Sequence, residues 1–500
     1  MLQVVLPMLA APLCVVVHHR RATWWVALVV TWASFANSVA LARKVYLEGP
    51  LSYFVGGWEP PWGIELRIDE LNAFVLCLVS AICAVVLIAA PRSFDQEVES
   101  DRHHLAYAAF LLCMTGLMGI ASAGDAFNVF VFLEISSLSS YGLIALGPSR
   151  RALSSALRYL IVGTLGGTFI LLGVGLLYMS TGTLNLVDLQ QRIPASDGHR
   201  TIVVAMVCVV VGACIKLALV PLHGWLPDAY TFAPSVVTAF LAATATKVAF
   251  YVLARFLFSV FGVASSIDRF HVDWVLLPLA LVAMVYGAAA AIFERDVKRM
   301  LAYSSLSQIG YMVVGLALVT KSGLTGGIVH LVNHGLMKCG LFLAIACVVL
   351  RFGSPHLGVQ RLGSTHLDRL RGLGRSMPWT SAAFVLGGLS MIGVPATVGF
   401  VSKWYLVLGA FEAGKWWVAA LILFSSALAI AYVWKVVEVL YFADPPRRED
   451  EVGEAPWWVL GPTWVLVGAS LVFGVWTAPT VRMASAAAEV LLPALAGAGP

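Results

Sequence analysis

Charge is scarce in this chain. Only 12% of its 500 residues are Asp, Glu, Lys or Arg, against 60% hydrophobic, a balance that excludes a soluble globular domain. Long polar linkers are missing as well. The longest polar connections, about Gly49 to Arg67, Gln190 to Arg200, Arg351 to Arg375 and Asp444 to Ala455, are short, so a single membrane domain over residues 1–500 is expected. No two of the eight cysteines stand at CxxC spacing, and Cys14, Cys77, Cys83, Cys113, Cys208, Cys214, Cys339 and Cys347 all fall inside apolar runs. They read as packing residues, so neither metal nor cofactor is expected. The first apolar run, Met1 to Val17, lacks both a cationic leader and a small-residue cleavage site, and it reads as a retained helix.

What the chain has instead is apolar runs of about 20 residues, the length an α-helix needs to cross the hydrocarbon core. Roughly fourteen can be counted by that length, starting near Leu2, Thr23, Ile68, His104, Ala126, Ser154, Thr201, Pro234, Val272, Met300, Gly323, Met377, Trp416 and Pro456. The expected fold class is therefore an all-α polytopic membrane protein. Basic residues favour alternate connections. One side collects Arg20, Arg21, Arg92, Arg102, Arg150, Arg151, Arg295, Lys298, Arg299, Arg351, Arg361, Arg369, Arg371, Arg375, Arg447 and Arg448, while the other has visibly fewer. The positive-inside rule then puts both termini on the outer side of the membrane. This asymmetry accounts for the net charge of +5 and calls for no nucleic-acid partner.

Two spans are interrupted by Pro and Gly in a comparable way, at Ile215 to Asp228 in the seventh and Ser390 to Lys403 in the twelfth. Broken helices are tolerated at membrane depth only where protein or cavity water satisfies the freed backbone groups. Paired breaks five spans apart point to an inverted repeat, with spans four to eight (104–260) set against nine to thirteen (272–442). Helices one to three (1–103) would precede the repeat, and helix fourteen with a tail (456–500) would follow it. The match is imperfect, since Lys216 precedes its proline and Lys403 follows Pro395.

Five of the nine lysines, Lys216, Lys247, Lys338, Lys403 and Lys435, lie inside apolar stretches, whereas most of the 23 arginines sit in the connections. A lysine removed from water gives up its proton more readily, while arginine stays charged almost anywhere. Glu134 is also mid-span. Unpaired, a lysine or a carboxylate costs on the order of 3 kcal/mol at the bilayer centre, so an ion pair between Glu134 and Lys216 is expected. It reads either as a switch for the Lys216 proton or as a plain interhelical salt bridge.

Lys247, among Ala and Thr residues (AATATKVAF), has no acid nearby in sequence and is expected to be a relay lysine. His330, His334 and Lys338 recur at i, i+4 and i+8, which stacks three titratable groups on one helix face over about 12 Å. Steps of about 6 Å can be bridged by one water. Lys403, after the second break, reads as a terminal site. Lys435 and Glu438 are at i, i+3 and form either further sites or a local ion pair. His223 lies in the first break as a further candidate, Asp228 is expected to cap the next helix, and Glu294, Arg295, Asp296, Lys298 and Arg299 form an inner charge cluster.

Four stretches carry a resemblance: Gly124 to Glu134 (GDAFNVFVFLE), Lys216 to Ala229 (KLALVPLHGWLPDA), Asp296 to Gly310 (DVKRMLAYSSLSQIG) and Gly399 to Lys403 (GFVSK). The chain resembles the antiporter-like subunits of respiratory complex I and of the multisubunit Mrp cation/proton antiporters. That resemblance implies fourteen transmembrane helices with inverted five-helix repeats and proton transfer along a mid-membrane polar axis. Glu134 then looks like the fifth-helix glutamate, Lys216 the seventh-helix lysine, Lys247 the eighth-helix lysine and Lys403 the twelfth-helix terminal residue.

Lysine at the last position resembles the N, L and Mrp D types more than M. A length near 500 without a long lateral helix disfavours the L and Mrp A types. Phe127 to Tyr141 and Thr181 to Asp188 look most like the Mrp D type, with complex I-like and hydrogenase-linked subunits as the alternative. The resemblance implies partner membrane subunits, protons and Na+ as transported ions, a bacterial inner membrane, and no catalytic chemistry in this chain itself beyond a place in an NADH:quinone oxidoreductase-like translocase. A non-conducting structural subunit, a solute transporter acting alone and a quinone-binding redox subunit are the rivals.

Overall fold

Side-chain caps mark where the apolar runs become helices. Asp69 accepts from the backbone amides of Leu71 and Asn72 at the head of one helix, Asp125 from Asn128 at another, and Asp296 from Arg299 at a third; each cap satisfies amides that have no partner within the first turn. A computed structural model describes residues 1–196, 199–352, 365–444 and 453–492. Arg361, Arg447 and Arg448, and the tail at 493–500, lie outside the described residues.

The order is α1 (Leu2–Val17), α2 (Arg20–Glu48), a hairpin of β1 (Leu51–Phe54) and β2 (Glu65–Ile68), α3 (Glu70–Glu97), α4 (His103–Ile120), α5 (Ala126–Ala145), α6 (Arg150–Thr181), α7 (Leu186–Arg192), α8 (His199–Leu217), α9 (Leu226–Phe232) and α10 (Ser235–Ala254). Then come α11 (Val272–Phe293), α12 (Val297–Ala317), α13 (Lys321–Phe352), α14 (Leu373–Ser376), α15 (Pro378–Ile392), α16 (Val398–Glu412), α17 (Trp416–Tyr441), α18 (Trp457–Val475) and α19 (Ala478–Leu491). The hairpin, with Leu51 opposite Ile68, is the one departure among the described residues from an all-α reading. It moves the start of the third helix from near Ile68 to Glu70.

Twelve helices among the described residues are long and apolar enough to cross a membrane, so the chain is a multi-pass membrane protein. The other two expected spans correspond to shorter pieces. One is the 16-residue α1; the other is the pair α15 and α16, separated by Gly393 to Thr397. The C-terminal α19, absent from the sequence expectation, packs on α13 and α3.

Burial sorts the spans into an inside and an outside. In α10 and α12, 94% of the apolar window is buried within the protein, and in α13 89%, against 22% in α2 and 39% in α6, α17 and α18. A helix that is apolar on every side and enclosed by others belongs at the centre. Thus α13, packed against α10, α12, α15, α16 and α18, is the axle of the molecule, and every titratable group along its middle is screened from lipid and from bulk water alike.

Both breaks are real. In the first, α8 ends at Leu217, Ala218 takes a φ of 60°, and α9 starts at Leu226. In the second, Gly393 (φ 91°) and Ala396 (φ 68°) turn the chain between α15 and α16. Left-handed backbone suits glycine and is unfavourable for alanine, so each break is held by its surroundings. The indole of Trp225 donates to the freed Ile215 carbonyl at 3.0 Å in the first. In the second the Lys403 ammonium does the same work, donating to the Met391 and Ile392 carbonyls at 2.9 and 2.8 Å. The unequal placement of Lys216 and Lys403 in sequence has this physical reason: one lysine faces a carboxylate on another helix, and the other folds back to close its own break.

Candidate functional site

Lys216 sits on the last turn of α8 and reaches α5, where its Nζ stands 3.2 Å from Glu134 Oε1 and 2.7 Å from Ser137 Oγ. The expected ion pair is present. Its carboxylate rests against Gly167 of α6, where a Cβ would come within 2.1 Å of Glu134 Oε1. A side chain at position 167 would therefore have to displace the Glu134 carboxylate. Gly167→Ala is expected to push Glu134 off Lys216 and to cost about 1–3 kcal/mol, read as a lower unfolding midpoint in detergent; an unshifted midpoint would show that the pair tolerates displacement.

Lys247 is fully buried on α10 and donates to the Ala242 carbonyl and, at 3.3 Å, to Thr246 Oγ1. Lys338 on α13 is also fully buried and donates to the Leu301 carbonyl at 2.8 Å and to Ser304 Oγ, both on α12. Lys403 lies 4.8 Å from the centre of the Tyr311 ring, a cation–π distance. Among the described residues, none of these three ammonium groups has a carboxylate within ion-pairing distance, whereas Lys216 has Glu134. Neutral oxygens stabilise a cation less than a carboxylate does.

The histidine stripe on α13 links them. The rings of His330 and His334 are stacked with centres 6.0 Å apart, as the i, i+4 spacing predicts. His330 Nδ1 is 2.8 Å from Ser402 Oγ, one residue before Lys403, and its ring lies 5.6 Å from that of Tyr311. His334 has Lys247, Lys338 and His330 as its charged or titratable neighbours. Several buried polar atoms here have no hydrogen-bond partner among the described residues: His330 Nε2, both ring nitrogens of His334, Gln308 Oε1 and Asn333 Oδ1. Buried polar atoms are normally hydrogen-bonded, so their concentration on α12 and α13 marks a polar site inside the protein.

The remaining candidates fall elsewhere. Lys435 does not pair with Glu438. Its Nζ donates to the Ile292 and Glu294 carbonyls at 3.0 and 2.9 Å and so caps the end of α11, while Glu438 is exposed. His223 lies in the first break, half-buried, 5.2 Å from the Tyr286 ring. Asp228 does not cap α9 with its side chain. It joins Arg158 (2.6 Å) to Arg299 (2.7 Å), and Arg299 also holds Glu294 at 3.0 Å.

Two networks escaped the sequence reading. Lys298, assigned to the inner charge cluster, is buried instead: it donates to the Ala233 carbonyl at 3.1 Å and lies 3.9 Å from Glu97, which accepts from Ser93 and twice from Ser235. Lys298 and Arg299 of α12 thus hold α9, the second half of the broken span, just past its last residue and in its first turn. Lys298→Met would take the cation from beside Glu97 and a donor from the Ala233 carbonyl, with an expected cost of about 1–3 kcal/mol, read as a lower unfolding midpoint in detergent; an unshifted midpoint would deny the clamp its role.

At the opposite end of α10, Arg255 donates to Asp69 at 2.8 Å and Asn72 at 2.7 Å, and Asn72 donates to the Tyr251 hydroxyl at 3.0 Å. The sequence signal was present in Lys247, Tyr251 and Arg255 at i, i+4, i+8. Their partners on α3 were not deducible from spacing.

The family described as NADH:quinone oxidoreductase/Mrp antiporter, TM matches residues 123–429, which include every candidate proton-transfer residue from Glu134 to Lys403. The N-type subunit of the NADH-quinone oxidoreductase of Desulforudis audaxviator is 43% identical over 412 residues, covering 82% of this chain and 79% of that relative. The D-type subunit of the Na(+)/H(+) antiporter of Alkalihalophilus pseudofirmus is 29% identical over 456 residues, covering 91% and 89%. A protein of the Mrp complex from Dietzia sp. DQ12-45-1b superposes with a TM-score of 0.86 at 27% identity, covering 98% of this chain and 97% of that one.

Proposed function

We propose that this chain, which belongs to the NADH:quinone oxidoreductase/Mrp antiporter transmembrane family, moves protons across a bacterial inner membrane as one subunit of a larger membrane assembly. The observation that carries this reading is the set of buried groups gathered around α13. Lys247 approaches from α10, His330, His334 and Lys338 lie on α13 itself, and Lys403 approaches from α16, with one carboxylate, Glu134, paired to Lys216 at the far end. Protons pass along such a line by hops between side chains and single waters. The unpartnered nitrogens and amide oxygens beside it suit bridging water.

Glu134 sets the state of the first site. Close to Lys216 it stabilises the ammonium; withdrawn, it leaves a buried cation without its counter-charge and favours release of the proton toward Lys247. Fourteen crossings, with spans four to eight inverted against nine to thirteen, would place the two breaks at equivalent depths. Both termini then lie on the outer side, as the arginine-rich connections favour.

The leading assembly is a cation/proton antiporter, with this chain in the place of the D-type subunit and Na+ as the exchanged ion. A complex I-like redox assembly is the second reading, favoured by the 43% identity to an N-type subunit. Co-purification separates them: small membrane subunits alone would support the antiporter, and Fe–S or hydrogenase-like proteins the redox complex. A non-conducting structural role would be supported if the assembled complex kept its ion transport after loss of the buried lysines.

A further inference from the structure

Away from the proton line, a cleft of about 760 Å³ opens where α2, α3 and α18 meet, at the arginine-rich end of the molecule. Arg20, Arg21, Arg92, Asp95, Trp25 and Trp458 line it. Arg20 is paired with Asp95. Arg21 and Arg92 are exposed and form no ion pair among the described residues, so the cleft keeps two uncompensated guanidinium groups.

An apolar track leads away from them. On α3, Cys77, Ala81, Val85, Ile88 and Arg92 recur at helical spacing as the partly or fully exposed line of a helix whose apolar window is 78% buried. Fifteen residues at 1.5 Å each give about 22 Å, more than the roughly 15 Å of one leaflet, half the hydrocarbon core. Trp25 and Trp458, both 56% exposed, stand at the charged end, where indoles favour the interface between hydrocarbon and headgroups.

We propose that this cleft binds an anionic phospholipid, with its phosphate on Arg21 and Arg92 and an acyl chain along the Cys77 to Ile88 track. Guanidinium groups bind phosphate oxygens through paired N–H donors, and a zwitterionic headgroup, with no net charge, would offset none of the +2 charge of the cleft, where an anionic one offsets part of it. Basic pockets between helices on the inner face are suited to such headgroups. An acidic protein segment would match the charge but not the partly exposed apolar track that continues from it.

The test uses the full chain purified with its partner subunits in nanodiscs of phosphatidylglycerol and phosphatidylcholine. Phosphatidylglycerol carried through extraction is counted by native mass spectrometry. The wild-type assembly is expected to retain it at least tenfold over phosphatidylcholine, and Arg21→Gln/Arg92→Gln to lose that preference with transport unchanged. Val85→Trp, which fills the track and leaves both arginines, is expected to lower retention as well. Equal retention of the two lipids, retention unaffected in both variants, or displacement of the lipid by inorganic phosphate at equal concentration would each overturn the proposal, the last by making the site one for a free anion.

Discussion

Alanine at Lys247 is expected to reduce proton transport by the assembled complex about 100-fold or more, the loss that follows removal of a positioned proton-transfer group. Lys247 is fully buried, donates only to a carbonyl and a threonine hydroxyl, and neighbours His334 and Lys338. No other lysine, and no histidine or carboxylate, lies on α10, so nothing on that helix replaces it. Alanine also leaves a cavity where a fully buried side chain stood, so transport has to be read on complexes shown to assemble. The measurement is acidification of everted membrane vesicles, with assembly checked by co-purification. Intact transport in a complex that assembles normally would sink the relay reading.

Glu134→Ala is expected to have the largest effect on stability. The Lys216 side chain is only 5% exposed and Ser137 would be its remaining polar partner, whereas Glu134 is 23% exposed. Removing one member of a buried pair costs about 3–5 kcal/mol, and partial access to water at Glu134 places this case toward the lower end. The signature is a lower unfolding midpoint together with lost transport. Adding Lys216→Met removes the stranded cation, so the double variant should recover stability and stay inactive. Recovery of transport in the double variant would reduce the pair to a structural salt bridge, and an unchanged midpoint in the single variant would remove the energetic coupling between them.

The histidine stripe was legible from the sequence because helical spacing places i, i+4 and i+8 on one face whatever surrounds them. The Glu134–Lys216 pair was legible for a different reason: two opposite charges in apolar runs have few ways to avoid each other's company. Lys435 was harder. Its spacing to Glu438 allowed a local pair, yet the side chain turns across to the end of α11, because unpartnered carbonyls there compete for it. Lys298 stands in the sequence within the inner charge cluster beside Asp296 and Arg299, and one step of about 100° around α12 is enough to bury it against Glu97.

The misplaced lysines, the two broken spans and the alternation of basic connections were set by the sequence alone, because the bilayer penalises charge and unpaired backbone wherever they occur. Which oxygen each lysine meets was decided by the tertiary structure. Lys403 closes its own break, Lys338 turns to α12, Lys216 finds Glu134, and Lys247 stays beside the histidines. Helix periodicity fixes the face on which a residue lies, but only packing decides which helix covers that face, and for a buried charge the covering helix supplies its partner.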